Sequence, residues 1–196
     1  MMTDEMPAIG MDENRLRHCR GVGVRASELG CALFGWSDEK CREMFVMGYL
    51  HDIGYQFAHE QSEHEELGGD LLRSLGFTYW AEIFHHGEPN SSYQSPELLV
   101  LNLADMLTSK DGSATTIPAR LEDIASRYGV ESTQYVAAKK LADVLVAQVQ
   151  EIEGSQSVLS RNLRRIRVDI GGDRGHARPC PHVRHRQPTD CPGRNR

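Results

Sequence analysis

The 196-residue sequence contains no apolar run near the roughly 18 residues that a membrane-spanning helix needs, so no transmembrane segment is expected. The first residues, MMTDEMPAIGMDE, are acidic and lack an apolar core, so they are not expected to act as a secretory signal. Cysteine is sparse: Cys19, Cys31, Cys41, Cys180 and Cys191 make an odd set with no CxxC spacing. That argues for a reduced, cytoplasmic chain over a disulfide framework. No Gly-rich phosphate loop and no dinucleotide fingerprint occurs, which disfavours the common nucleotide-binding α/β folds. Aromatic residues are only 7% of the chain. Strand-like alternation is absent before residue 160.

Charge is unevenly spread. The formal net charge is -6, yet the segment from Arg161 onward holds ten Arg, no Lys and three Asp. That segment carries about +7, which leaves about -13 on residues 1–160. An acidic body disfavours nonspecific nucleic-acid binding and favours a small substrate. If the substrate is a phosphate ester, positive charge must come from elsewhere, and bound metal would supply it.

What remains is helical. Leu16, Val22, Val24, Ala26, Leu29, Leu33 and Phe34 recur at three- and four-residue steps, interrupted by Gly21, Gly23 and Gly30 and closed by Gly35. Ser37 caps a second helix, with Asp38 and Glu39 at its positive end. That helix runs through Cys41, Met44 and Phe45 to His51-Asp52 and stops at Gly54. Ser62-Glu63-His64-Glu65 has the form of a capping box that opens a third helix ending at Gly76. A short fourth helix is expected from Tyr79 to His86, and Ser95-Pro96-Glu97 starts a fifth. Lys110 to Ser113 forms a turn, Pro118 to Tyr128 a sixth helix, and residues 132–152 a seventh. The expected organisation is a flexible stretch 1–10, an all-α domain of about seven helices over 11–153, and a tail over 154–196. The tail is rich in Arg, Pro and Gly and is expected to be disordered. Its Cys180, His182, His185 and Cys191 fit no common zinc module.

Each of the first five helices offers a metal-ligand side chain at or near an end. His18 lies on the first, His51 and Asp52 close the second, and His64 opens the third. His86 ends the fourth and Asp105 lies on the fifth. A helical bundle can turn such groups inward to hold paired metals. An aspartate on an apolar helix is costly unless it has a partner. His59 and His85 are alternatives to His64 and His86. Cys19 and Cys41 are expected in the core, and Tyr55 and Tyr79 in ordinary packing.

The ordered set H…HD…H…H…D, over about residues 12–110, resembles the HD superfamily of metal-dependent phosphohydrolases. The flanks agree: Arg17-His18-Cys19-Arg20, His51-Asp52-Ile53-Gly54, His64 followed by Gly68-Gly69, and Leu103-Ala104-Asp105. The extra histidines are similar to those of the two-metal branch that cleaves dinucleoside tetraphosphates. The resemblance implies an HD-domain helical bundle in which His18, His51, Asp52 and Asp105 hold one ion. Asp52 then bridges to a second ion held by His64 and His86. Mixed His/Asp ligation suits Mn, Fe, Co, Ni or Zn, and two such ions can activate a hydroxide and clamp phosphoryl oxygens. His51 and Asp52 are the expected catalytic pair. Arg17, Arg20 and Lys110 are candidate phosphate contacts, and the expected partner is a small phosphorylated molecule such as a nucleotide. The same ligands would also serve a di-iron oxygenase or a noncatalytic metal- or nucleotide-binding module.

Overall fold

The computed structural model describes residues 7–155. The expectations for the tail therefore lie outside the described residues, apart from Gly154 and Ser155, which belong to the last helix. Seven α-helices and no strand are found among the described residues, as expected of an all-α domain. They are α1 (Glu13–Phe34), α2 (Asp38–Leu50), α3 (His64–Ser74), α4 (Trp80–His85), α5 (Pro96–Met106), α6 (Ile117–Tyr128) and α7 (Thr133–Ser155). Two short 3-10 turns, Ile53–Gln56 and Gln61–Glu63, link α2 to α3. No helix among the described residues is long and apolar enough to cross a membrane.

Helix α5 is the centre of the bundle. Leu98 to Ala104 are all buried, together with Met106. It packs against α1, α2, α4 and α7. Its start is set locally: the Ser95 hydroxyl accepts from Leu98 N at 3.0 Å, with Pro96 in the first turn. The Ser37 side chain caps α2 in the same way through Lys40 N.

The glycines in α1 permit close backbone contact. A Cβ on Gly48 would lie 2.9 Å from Gly23 Cα, and one on Gly23 would lie 2.7 Å from Phe45 O. Helices α1 and α2 can approach this closely only without side chains there. The helical cost of these glycines is offset by the packing they allow.

Three local expectations are corrected. The capping box before α3 is made by Glu60 and Glu63, not by Ser62 and Glu65. The Glu63 carboxylate reaches back to the backbone N–H groups of His59 and Glu60, both at 2.9 Å. The N-terminal stretch is held from Ile9 on, because Ile9 and Gly10 donate to the Ala58 and Tyr55 carbonyls at 2.8 Å. Finally, Cys31 and Cys41 form a disulfide, against the expectation of unpaired cysteines. The short α1–α2 turn folds one helix back on the other and sets the two Cα atoms 6.1 Å apart, within bridging range. Closing a loop of this length restricts the unfolded chain and is worth roughly 3 kcal/mol in the entropic account. Cys19 is free and buried.

Candidate metal centre

Helix α2 ends at Leu50, so His51 and Asp52 occupy the junction before the first 3-10 turn. Both are buried, at 1% and 3% exposure. A buried carboxylate needs strong compensation, and Asp52 has it on both oxygens. Its Oδ1 faces the Nε2 atoms of His51 and His64, each at 3.3 Å, and of His86 at 3.9 Å. Its Oδ2 accepts from Arg15 Nη1 at 2.9 Å. On the neighbouring side, His18 Nε2 lies 3.0 Å from Asp105 Oδ1.

All four histidines are held alike. Nδ1 of His18, His51, His64 and His86 lies against the carbonyl oxygens of Ser109, Gly48, Gln61 and Ile83, at 2.9, 2.8, 2.6 and 2.6 Å. A carbonyl oxygen only accepts, so each Nδ1 must carry the hydrogen. In the neutral ring the bare lone pair then sits on Nε2, aimed at a carboxylate oxygen. Lone pair facing lone pair is repulsive unless a cation, a proton or a metal, lies between. Pinning the far ring nitrogen is also how proteins orient metal-binding imidazoles.

The loops that make these contacts are set by close packing. A Cβ on Gly54 would fall 1.9 Å from His64 O. Only glycine lets the first turn of α3 lie against the turn after Asp52, which carries His64 to that carboxylate. On the other side, a Cβ on Gly21 would fall 2.4 Å from Gly112 O. Glycine there lets the turn after α5 press on α1, with Ser109 O against His18.

The side chains fall into overlapping groups with ligand atoms within 4.8 Å of one another: His18, His51 and Asp105; Asp52, His64 and His86; and Cys19, His51 and Asp52. The first holds three of the four residues expected for one half-site, without Asp52, and the second holds the three expected for the other. Cys19 is fully buried, and burial and the nearby Asp52 charge push its thiol pKa up.

Of the alternatives, His59 is exposed and outside these groups. His85 is half-buried and stacks on Tyr93, 5.0 Å between ring centroids. Arg17 and Arg20 line a separate cleft of about 400 Å³ between α1 and the turn after α5, and none of the cluster residues lines it. Lys110 is exposed on that turn. None of these three makes a hydrogen bond or ion pair with a cluster residue. Tyr55 is buried in packing, sandwiched between the Arg15 guanidinium at 3.8 Å and the His64 ring at 4.0 Å. Tyr79 joins Lys40 at 2.7 Å and also bonds Glu43.

Three charged neighbours were not anticipated. Arg15 lies one turn before His18 on α1, so helical spacing could have suggested it. Glu65 Oε2 sits 2.9 Å from His64 Nδ1, immediately after it in sequence. Arg120 Nη2 sits 3.5 Å from Asp105 Oδ1, and nothing local in the sequence ties α6 to α5.

The cluster shifts the titration of its own members. Burial pushes His51 down to about 4, against the pull of Asp52 and Asp105. Burial also opposes charge on His64, but Asp52 and Glu65 outweigh it and raise the ring to about 9. His18 is likewise raised, with Asp105 overcoming burial. Burial opposes ionisation of Asp52 too, yet the surrounding imidazoles hold its carboxyl well below the usual range. Linkage gives the sign for the chelator-treated protein. The His64 contribution is fully present below its ordinary 6.5 and is lost as pH rises through about 9. The unfavourable His51 contribution is absent above 6.5 and grows as pH falls from 6.5 to about 4. The Tm of metal-free protein is therefore expected to peak near pH 6.5 and fall on both sides. A Tm that climbs steadily from pH 6.5 to pH 9.5 would contradict these assignments.

An all-α bundle that turns four pinned imidazoles and two carboxylates toward one another belongs to the class of helical proteins able to hold divalent metal between their helices. The HD domain family model matches residues 15–148, about two thirds of the sequence, and the chain belongs to that family. No curated protein and no solved structure gave a match.

Proposed function

We propose that the protein is a two-metal phosphohydrolase acting on a small phosphate ester or anhydride, with nucleotides as the first class to test. Members of the HD family are typically metal-dependent hydrolases, which supports the reading. The observation that carries it is the common pose of His18, His51, His64 and His86, each Nδ1 tied to a carbonyl and each Nε2 turned toward Asp52 or Asp105. That donor set fits borderline divalent metals such as Mn, Fe, Co, Ni or Zn.

In this reading His18, His51, Asp52 and Asp105 hold one ion, and Asp52, His64 and His86 the other. Two bound ions supply Lewis acidity and activate water for attack at phosphorus. The protein's part is orientation and charge. Asp52 would be shared between the ions, since its carboxylate lies against His51 of one expected half-site and His64 and His86 of the other. Arg15 steadies the other oxygen, and its guanidinium is kept in place by the Tyr55 ring. Glu65 beside His64 Nδ1 raises the basicity of that ring, which strengthens its Nε2 as a donor to metal. The buried surroundings strengthen each of these interactions over their worth in water.

The test is phosphate release from a panel of nucleotides and simple phosphate esters, with chelator-stripped protein reloaded separately with Mn, Fe, Co, Ni, Zn or Mg. Metal-dependent release from at least one compound is expected, with no need for oxygen. Iron-dependent oxygen uptake without phosphate release would replace the hydrolase by an oxygenase. Binding of a nucleotide without turnover would replace it by a regulatory module.

A further inference from the structure

We propose that Arg120 is the receptor for a phosphoryl group of the substrate at the edge of the metal cluster, an inference that rests on the hydrolase reading. Arg120 projects from α6, and its side chain is only 13% exposed. A guanidinium cannot shed its charge in a protein, and it presents five N–H donors. Yet its contacts are few and long. Nη2 lies 3.5 Å from Asp105 Oδ1 and Nη1 lies 3.8 Å from Asp123 Oδ2. Its Nε is buried and has no hydrogen-bond partner.

Both carboxylates near Arg120 are held more closely by other groups. Asp105 has His18 Nε2 at 3.0 Å, and Asp123 has Arg127 Nη2 at 2.7 Å. Arg120 is thus a covered cation without a close anion of its own, beside a carboxylate whose oxygen faces the cluster. An incoming oxyanion with several acceptor atoms would satisfy the guanidinium, and planar fork recognition of phosphate is what Arg does best. Arg15 differs. It donates to Asp52 at 2.9 Å and lies on Tyr55, so its charge is already engaged. Arg15 therefore positions Asp52, whereas Arg120, with two long contacts and an unpartnered Nε, keeps donors for what enters.

The experiment is calorimetric titration of inorganic phosphate into full-length, Mn-loaded protein, comparing wild type with Arg120→Gln and Arg120→Lys. Metal content and Tm are measured on each sample. Arg120→Gln is expected to weaken phosphate binding by about tenfold or more, with metal content unchanged. Arg120→Lys keeps the charge but loses the fork, and an intermediate loss is expected. Should the Gln variant fail to fold, the Lys variant decides: at least a severalfold loss supports the proposal, and wild-type affinity overturns it. Wild-type phosphate affinity in a folded Gln variant also overturns it. So does loss of metal in step with phosphate, which would make Arg120 a support for Asp105. Metal-loaded wild type that binds no phosphate also overturns the proposal, whereas the hydrolase reading on which it rests is decided separately by phosphate release.

Discussion

Asp52→Ala is expected to lose bound metal and to lower turnover by more than about a hundredfold. Changing even a group that only supports a metal ligand typically costs about 10–100-fold in affinity or activity. Asp52 is placed at the centre, with His51, His64 and His86 around one oxygen and Arg15 on the other. Truncation leaves those imidazoles without the carboxylate they face. Asp52→Asn separates shape from charge. It preserves size and an oxygen for Arg15, yet should lose metal nearly as completely, because a neutral amide is a poor bridge. Elemental analysis and single-substrate kinetics on folded variants check both. Retention of metal and turnover in the folded Ala variant would remove Asp52 from the site.

Gly54→Ala should be the most damaging single methyl addition near the site. Its Cβ would meet His64 O at 1.9 Å, His64 C at 2.7 Å and Gly68 N at 2.7 Å. All three are backbone atoms, so no side chain can swing aside. Relief requires the first turn of α3 to move off the turn that follows Asp52. Overpacking usually costs about 1–3 kcal/mol, and contact this close on rigid backbone should exceed about 3 kcal/mol. For a domain of this size the Tm should fall by roughly 10 °C. Because α3 carries His64, metal binding at the half-site of Asp52, His64 and His86 should weaken together with stability. Thermal unfolding followed by circular dichroism, with and without metal, measures both effects. A Tm within a degree of wild type would show that α3 does not rest on Gly54.

These two positions also show why part of the site was legible in the sequence. His51-Asp52-Ile53-Gly54 carries a ligand pair and the glycine that lets the next ligand approach, so chemistry and close packing share four residues. The helix starts at Ser37 and Ser95 were legible because a cap depends on residues within one turn. His85 and His86 are adjacent and point to different sides of the chain, so the fold decides which of them joins the cluster, whereas the Gly68-Gly69 that follow His64 already favoured it over His59. The Cys31–Cys41 bridge and the placement of Arg120 beside Asp105 had no local signature. Each arises where two helices meet, and neither spacing nor propensity encodes that meeting. The glycines of α1 lower helix propensity, but they are sites of backbone contact with α2 and with the turn after α5.

The central claim is that the pinned imidazoles and two carboxylates form a paired metal site. Its most direct test is the metal-to-protein ratio of full-length protein, stripped with chelator, reloaded and freed of excess metal. The account predicts two divalent ions per chain, and no more than one when His64 and His86 are both replaced by Ala. A wild-type protein that retains no metal after reloading would contradict it.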